Sequence, residues 1–219
     1  MKINGQNGFS LMELLVAMSL MSVVMTAAFA VLFSSVKAQG YGTDLTHTQE
    51  KANLAMQRLT HDLRLAGRGC SPGDTVFQLA GKEKVSFLTS GPEDSMPKVV
   101  TYFVRSDPQR EGQKLLFRSV GDDTVGKMIS TQICEFSLDY LDRNGKSLLD
   151  DFSQEAAVKR RPYHADINRN GREDILDIRR VSVRIRTRTK TSRKGGFGTC
   201  DLESEVVPRN MLILGEGDI

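Results

Sequence analysis

Residues 8–36 read GFSLMELLVAMSLMSVVMTAAFAVLFSSV. From Leu14 through Val36 this stretch contains no charged residue, no proline and no glycine. A helix of about 20 apolar residues crosses a hydrocarbon core of about 30 Å, so the run predicts one membrane-spanning helix over residues 9–36. A secretory signal would have a shorter apolar region with a small-residue cleavage site behind it. Here the punctuation lies in front, at Gly8. The leader MKINGQNG, residues 1–8, is polar and carries Lys2, which favours a cytoplasmic N-terminus. Glu13 stands at the mouth of the apolar run. A carboxylate is costly inside lipid and is a functional candidate by default. The alternative is a carboxylate at headgroup level with no role, and spacing alone leaves both readings open.

Beyond Val36 the pattern turns amphipathic. Leu45, Ala52, Met56, Leu59, Leu63 and Ala66 recur at spacings of three, four or seven, which is one helical stripe. Glu50, Lys51, Arg58 and Asp62 are assigned to the other faces. Residues 37–68 are therefore read as the soluble half of the same helix, closed by Gly67, Gly69 and Pro72. The remainder, residues 69–219, reads as a β-rich head. Short β-type runs stand at residues 85–88, 99–104 and 115–120. In residues 132–141, Cys134, Phe136, Leu138 and Tyr140 alternate with Glu135, Ser137 and Asp139, and the turn Asp142-Arg143-Asn144-Gly145 follows. Val181, Val183 and Ile185 alternate with Ser182, Arg184 and Arg186. Residues 204–214 are expected to form the last strand, with Pro208 marking an edge or a bulge. A long helix followed by an antiparallel sheet is an α+β layout.

Composition excludes more than it suggests. The chain has 219 residues and a net charge of +3 from 30 basic and 27 acidic residues, a near-balance that does not point to nucleic acid. The local basic stretches, Lys159-Arg160-Arg161 and Arg184 to Lys194, are read as solvated strand or loop faces. Cys70, Cys134 and Cys200 are far apart and form no CxxC or Cys/His cluster, so zinc, thioredoxin-like and haem sites lack support. In an exported head they make either one disulfide of unassigned pairing plus a spare cysteine, or three buried thiols. His47, His61 and His164 are scattered, and no GxSxG, P-loop or HExxH pattern occurs, so an enzyme is not expected.

Residues 166–177 read DINRNGREDILD. Oxygen-bearing side chains fall at positions 1, 3, 5, 9 and 12, with glycine at position 6, which is the spacing of a calcium loop. A hard cation needs six or seven oxygens, and the glycine permits the tight turn. Asp166, Asn168 and Asn170 would bind through side chains and Arg172 through its carbonyl. Asp174 would bind directly or through water, and Asp177 would take the last position. The competing reading is an Asn-Gly turn with solvated carboxylates. The segment resembles dockerin-type loops. It has no second copy here, so only a structural calcium role is expected.

The string from Gly8 to Ala17 resembles the N-terminus of type IV pilins and pseudopilins. The resemblance implies that a prepilin peptidase cuts after Gly8 and methylates the new terminus, Phe9. Glu13 then matches the family's glutamate at the fifth mature position, which pairs with a neighbouring subunit's N-terminal amine during filament assembly. Two departures stand out: Asn7 precedes the cut where family leaders are often basic, and Ala30 stands where many family helices carry proline. The second implies a continuous helix. Leu63-Arg64-Leu65-Ala66-Gly67, the segment from Leu138 to Gly145, and Val207-Pro208-Arg209-Asn210 are similar to PilW-type minor pilins, with the GspJ-type pseudopilin next. The implied function is a non-catalytic minor pilin that co-assembles to initiate or cap a pilus, with roles in adhesion and twitching motility. Its implied partners are major and minor pilins, a tip adhesin and the prepilin peptidase. It would sit in the bacterial inner membrane with its head in the periplasm, then in the filament at the cell surface. The alternatives are a minor pseudopilin of type II secretion and a DNA-uptake pilin using the Arg184 to Lys194 strand.

Overall fold

A computed structural model describes residues 10–71, 74–91, 96–148, 174–193 and 196–210. The chain divides into two compact units, Met1–Asp44 and Leu45–Ile219. One helix, α1 (Leu11–Arg64), supplies residues to both. It is continuous, as the alanine at position 30 implies.

In the second unit, seven strands follow in chain order: β1 (Phe77–Ala80), β2 (Lys84–Thr89), β3 (Lys98–Ser106), β4 (Lys114–Val120), β5 (Lys127–Leu141), β6 (Arg180–Arg193) and β7 (Gly196–Val206). They make one antiparallel sheet in which every neighbour in sequence is a neighbour in space. The expected α+β, pilin-like architecture is observed. Three details differ from the sequence reading. β1 was not anticipated, because its four residues are too few to show alternation. The last strand among the described residues spans Gly196–Val206, where residues 204–214 were expected; Pro208 lies beyond it, and residues 211–214 lie outside the described residues. Cys134 does not share the face of Phe136, Leu138 and Tyr140. A bulge between Ile133 and Glu135 moves the buried position from Ile133 to Phe136 and leaves Cys134 half-buried between them. Gln132, at a positive φ of 65°, stands beside this bulge, and its buried amide donates to the Arg188 carbonyl.

The expected stripe packs as read from Ala52 onward, while Leu45 is only half-buried. Ala52, Met56, Leu59, Leu63 and Ala66 are buried, together with Ala55. Ala55, Met56, Leu59, Leu63 and Ala66 meet Phe77, Phe87, Tyr102, Phe136, Leu138 and Tyr140 in one apolar cluster. Phe87 stacks on Tyr102 at 6.5 Å, and Phe77 meets Tyr140 edge-on at 6.3 Å.

Asp62 corrects the helix reading. It was assigned to a polar face but is only 5% exposed. The cause lies on the sheet, where Tyr102 of β3 and Arg118 of β4 are direct cross-strand partners. The Tyr102 hydroxyl and the Arg118 Nε both donate to Asp62 Oδ2, at 2.8 and 2.7 Å. Arg58 Nε and His61 Nδ1 approach the other oxygen at 3.7 and 3.4 Å. The buried carboxylate is thus paired and hydrogen-bonded, which is what makes its burial tolerable.

The C-terminal end of α1 is clasped. A helix leaves its last carbonyls without intrahelical partners. Here the Arg209 N–H donates to Arg64 O, the Thr89 hydroxyl to Leu65 O, and the Asn210 amide to Leu65 O and Ala66 O. Gly67, at φ 81°, turns the chain so that its own N–H reaches Leu88 O, with Asn210 packed where a side chain would stand. Elsewhere, the upper half of β5 is not paired with β4. Its Leu138 N–H donates to Lys82 O and its Tyr140 O accepts from Leu148 N–H, so the β1–β2 turn and the chain after the Asn144-Gly145 turn cover that edge.

Replacing Asp62 with Ala leaves Arg118 without its carboxylate and should cost about 2–4 kcal/mol. Urea unfolding of the detergent-solubilised chain measures it, and Asp62→Asn, which keeps an acceptor for Tyr102, should lose less. An unchanged midpoint for Asp62→Ala would contradict the packing described. Tyr102 gives a pH test. Burial, and next the Asp62 charge, hold its hydroxyl pKa well above the ordinary 10.0. A group whose pKa rises on folding contributes fully below its unfolded value and progressively less above it. The stability advantage of wild type over Tyr102→Phe should therefore be constant up to about pH 9 and shrink from about pH 10 upward. An advantage that grew above pH 10 would contradict this.

Candidate functional site

α1 begins at Leu11, so Ser10 is its N-cap and Glu13 lies three positions on. Ser10-Leu-Met-Glu13 is a capping-box sequence. The Ser10 N–H donates to Glu13 Oε2 at 3.2 Å, while Ser10 O accepts from Leu14 N–H at 3.2 Å. The carboxylate is therefore folded back on the first turn, at the end of the helix where the macrodipole favours negative charge. The sequence reading noted the carboxylate but missed the cap, although the S-x-x-E spacing carries the signal.

Behind this cap the helix is apolar all round. Leu14, Leu15, Val16, Met18, Leu20, Met21, Val23, Val24, Met25, Phe29, Val31, Leu32, Phe33 and Val36 are each about half exposed or more. A helix with this distribution is normally covered by lipid or by other helices. Residues 14–36 span about 34 Å as a helix, enough to cross a bilayer core. Five hydroxyls lie inside the run, and the three nearest its middle are satisfied locally. Ser19 donates to Val16 O, Ser22 to Ser19 O and Thr26 to Ser22 O, at 2.7–2.8 Å. None of these three needs water, which suits them to lipid.

The other expected site residues are only partly in view. Gly8 and Phe9 lie outside the described residues, as do the leader and Asp166, Asn168, Asn170 and Arg172. Of the candidate calcium ligands, Asp174 opens a short 3-10 turn, Asp174–Leu176, and Asp177 follows it. Ile175 and Ile178 are buried in the core cluster and anchor this end of the segment. Among the described residues, no group of three or more His, Cys, Asp or Glu is placed to hold a metal ion.

The three cysteines are free thiols, each half-buried. Burial is the main influence that pushes each thiol pKa up. Cys200 lies across from Thr187 of β6, and Cys134 follows Ile133, which flanks Thr187 on the other side. Two strand spacings, about 9.5 Å, separate these positions, more than a disulfide spans. The basic run on β6 is a strand face, as read. Arg180 pairs with Glu205, Arg184 with Glu203, and Arg186 with both Asp201 and Glu135. The charges of Arg180, Arg184 and Arg186 are thus answered by carboxylates on the flanking strands.

A capped helix long and apolar enough to cross a membrane, a carboxylate in its first turn and an α+β head together make a pilin-like architecture. A model of the prokaryotic N-terminal methylation motif matches residues 3–29. The N-terminus is therefore of the type IV pilin-like, prepilin kind, which implies processing by prepilin peptidase and assembly with other pilins. It also fits inner-membrane anchoring through α1. No curated protein and no solved structure matches the chain.

Proposed function

We propose that this chain is a non-catalytic minor pilin that joins other pilins to initiate or cap a type IV pilus. The observation that carries the reading is the methylation motif of residues 3–29 running into one uninterrupted helix that carries Glu13 and the apolar surface. Cleavage after Gly8 would leave Phe9 as the methylated terminus. In the bilayer, lipid covers residues 14–36 and the head lies in the periplasm. In the filament, other subunits' helices replace the lipid. Glu13 then pairs with a neighbour's terminal amine, and in a low-dielectric setting that pairing offsets the burial of both charges. The minor-pilin assignment has further support from two segments similar to PilW-type minor pilins, Leu63–Gly67 and Val207–Asn210, which pack together as the clasp on α1. The head is the part that would contact a tip adhesin.

Glu13→Ala should still be cleaved and inserted in the membrane, yet its share in sheared filaments should fall by at least about tenfold, since each factor of ten needs only about 1.4 kcal/mol. Equal recovery of wild type and variant would overturn the assembly role.

We also propose that residues 166–177 bind calcium structurally, with Asp166, Asn168, Asn170, the Arg172 carbonyl, Asp174 and Asp177 as ligands. The donor spacing supports this reading. Two asparagines lower the site charge, which suits millimolar calcium. Calcium should raise the thermal midpoint of wild type and not of Asp166→Ala. The same midpoint with calcium and with chelator would remove the idea.

A further inference from the structure

The two edges of the sheet differ. β1 is four residues long and bulged between Phe77 and Leu79, the usual way an edge is blunted. β7 is eleven residues long and pairs with β6 through eight consecutive positions, Val181↔Val206 to Arg188↔Thr199, without a register shift. Residues 199–206, TCDLESEV, contain no proline and no lysine. Among the described residues, no strand lies on the other side of β7. It is a long edge without proline or lysine, and its charges are one row of carboxylates.

Its side chains specify what would fit. Asp201, Glu203 and Glu205 share one face and have arginines of β6 on their inner flank. Their side chains remain 53%, 57% and 46% exposed, so the outer flank is open to a second cation. The opposite face carries Cys200, Leu202, Ser204 and Val206, with Leu202 packed on the core and Val206 buried. A strand added here would place alternate residues beside the carboxylates and the others beside Leu202. β6 already satisfies this pattern from the inside, with Arg180, Arg184 and Arg186 alternating with Val181, Val183 and Ile185.

We propose that β7 is a docking edge for an extended segment of a partner protein, in which Arg or Lys alternates with Val, Ile or Thr, added as an eighth strand. Backbone hydrogen bonds hold the segment, and the carboxylate row sets its register. Docking at β7 does not involve Glu13, so the two can fail separately.

The probe is a labelled nonapeptide, RVSVRIRTR, the sequence of residues 180–188, titrated against the full-length chain in detergent micelles. Two further versions carry N-methyl groups on alternate residues, in opposite phase, so that each lacks hydrogen bonding along one edge. Saturable binding is expected. One methylated version should bind like the parent, and the other should lose at least about tenfold. Amide exchange should slow in residues 199–206. Glu203→Gln should weaken binding, while Glu50→Gln, on the exposed face of α1, should not. Four results would overturn the proposal: no saturable binding; both methylated versions binding like the parent, which is charge attraction alone; faster exchange in residues 181–187, which is displacement of β6; or a dimer formed through β7 in the absence of peptide, which makes a second copy the occupant.

Discussion

One helix has to satisfy two solvents, and the arrangement of the chain follows from that constraint. Residues 14–36 of α1 expose apolar side chains on every face, while residues 45–64 expose polar ones on one side and bury a stripe on the other. The first stretch is stable only where lipid or other apolar helices surround it. The second needs a sheet. The hydroxyls of Ser19, Ser22 and Thr26 turn onto their own helix, and the cap at Ser10 and Glu13 keeps the one carboxylate of the segment at its very end. A surface that tolerates either lipid or protein is what the proposed transfer from membrane to filament requires.

Within the head, apolar packing sets the position of α1 and polar contacts fix its register. The Leu59, Leu63 and Ala66 stripe alone would tolerate small slides along the sheet. Asp62 between Tyr102 and Arg118 does not, because a displaced carboxylate would strand a buried charge. The clasp at residues 64–66 adds a second fixed point, drawn from Thr89 and from the C-terminal segment at Arg209 and Asn210. Residues separated by more than 140 positions in sequence thereby lock the same helix end.

Much of this was legible in the sequence, and the parts that were not have a common cause. The spanning run, the amphipathic stripe and the strands near Val85, Val99, Leu115 and Val181 follow from periodicity, which local side-chain chemistry sets. Asp62 was misplaced because a periodic pattern shows where apolar residues go, but not where a distant Tyr–Arg pair will make a carboxylate welcome. Cys134 was put on the wrong face because a bulge at Ile133 leaves no mark in an alternating sequence. β1 was too short to read, and the start of β7 went unread because Gly196 and Gly198 hide a strand pattern. In the candidate site, Glu13 was visible as a charge out of place, and its cap at Ser10 was readable but unread.

The central claim is that the apolar helix begins a processed, methylated chain. Intact-mass and peptide mass spectrometry of the protein purified from cells with active prepilin peptidase tests it directly. The account predicts a mature chain that starts at Phe9 and carries one additional methyl group on its terminal amine. A chain that still starts at Met1 in those cells would contradict it.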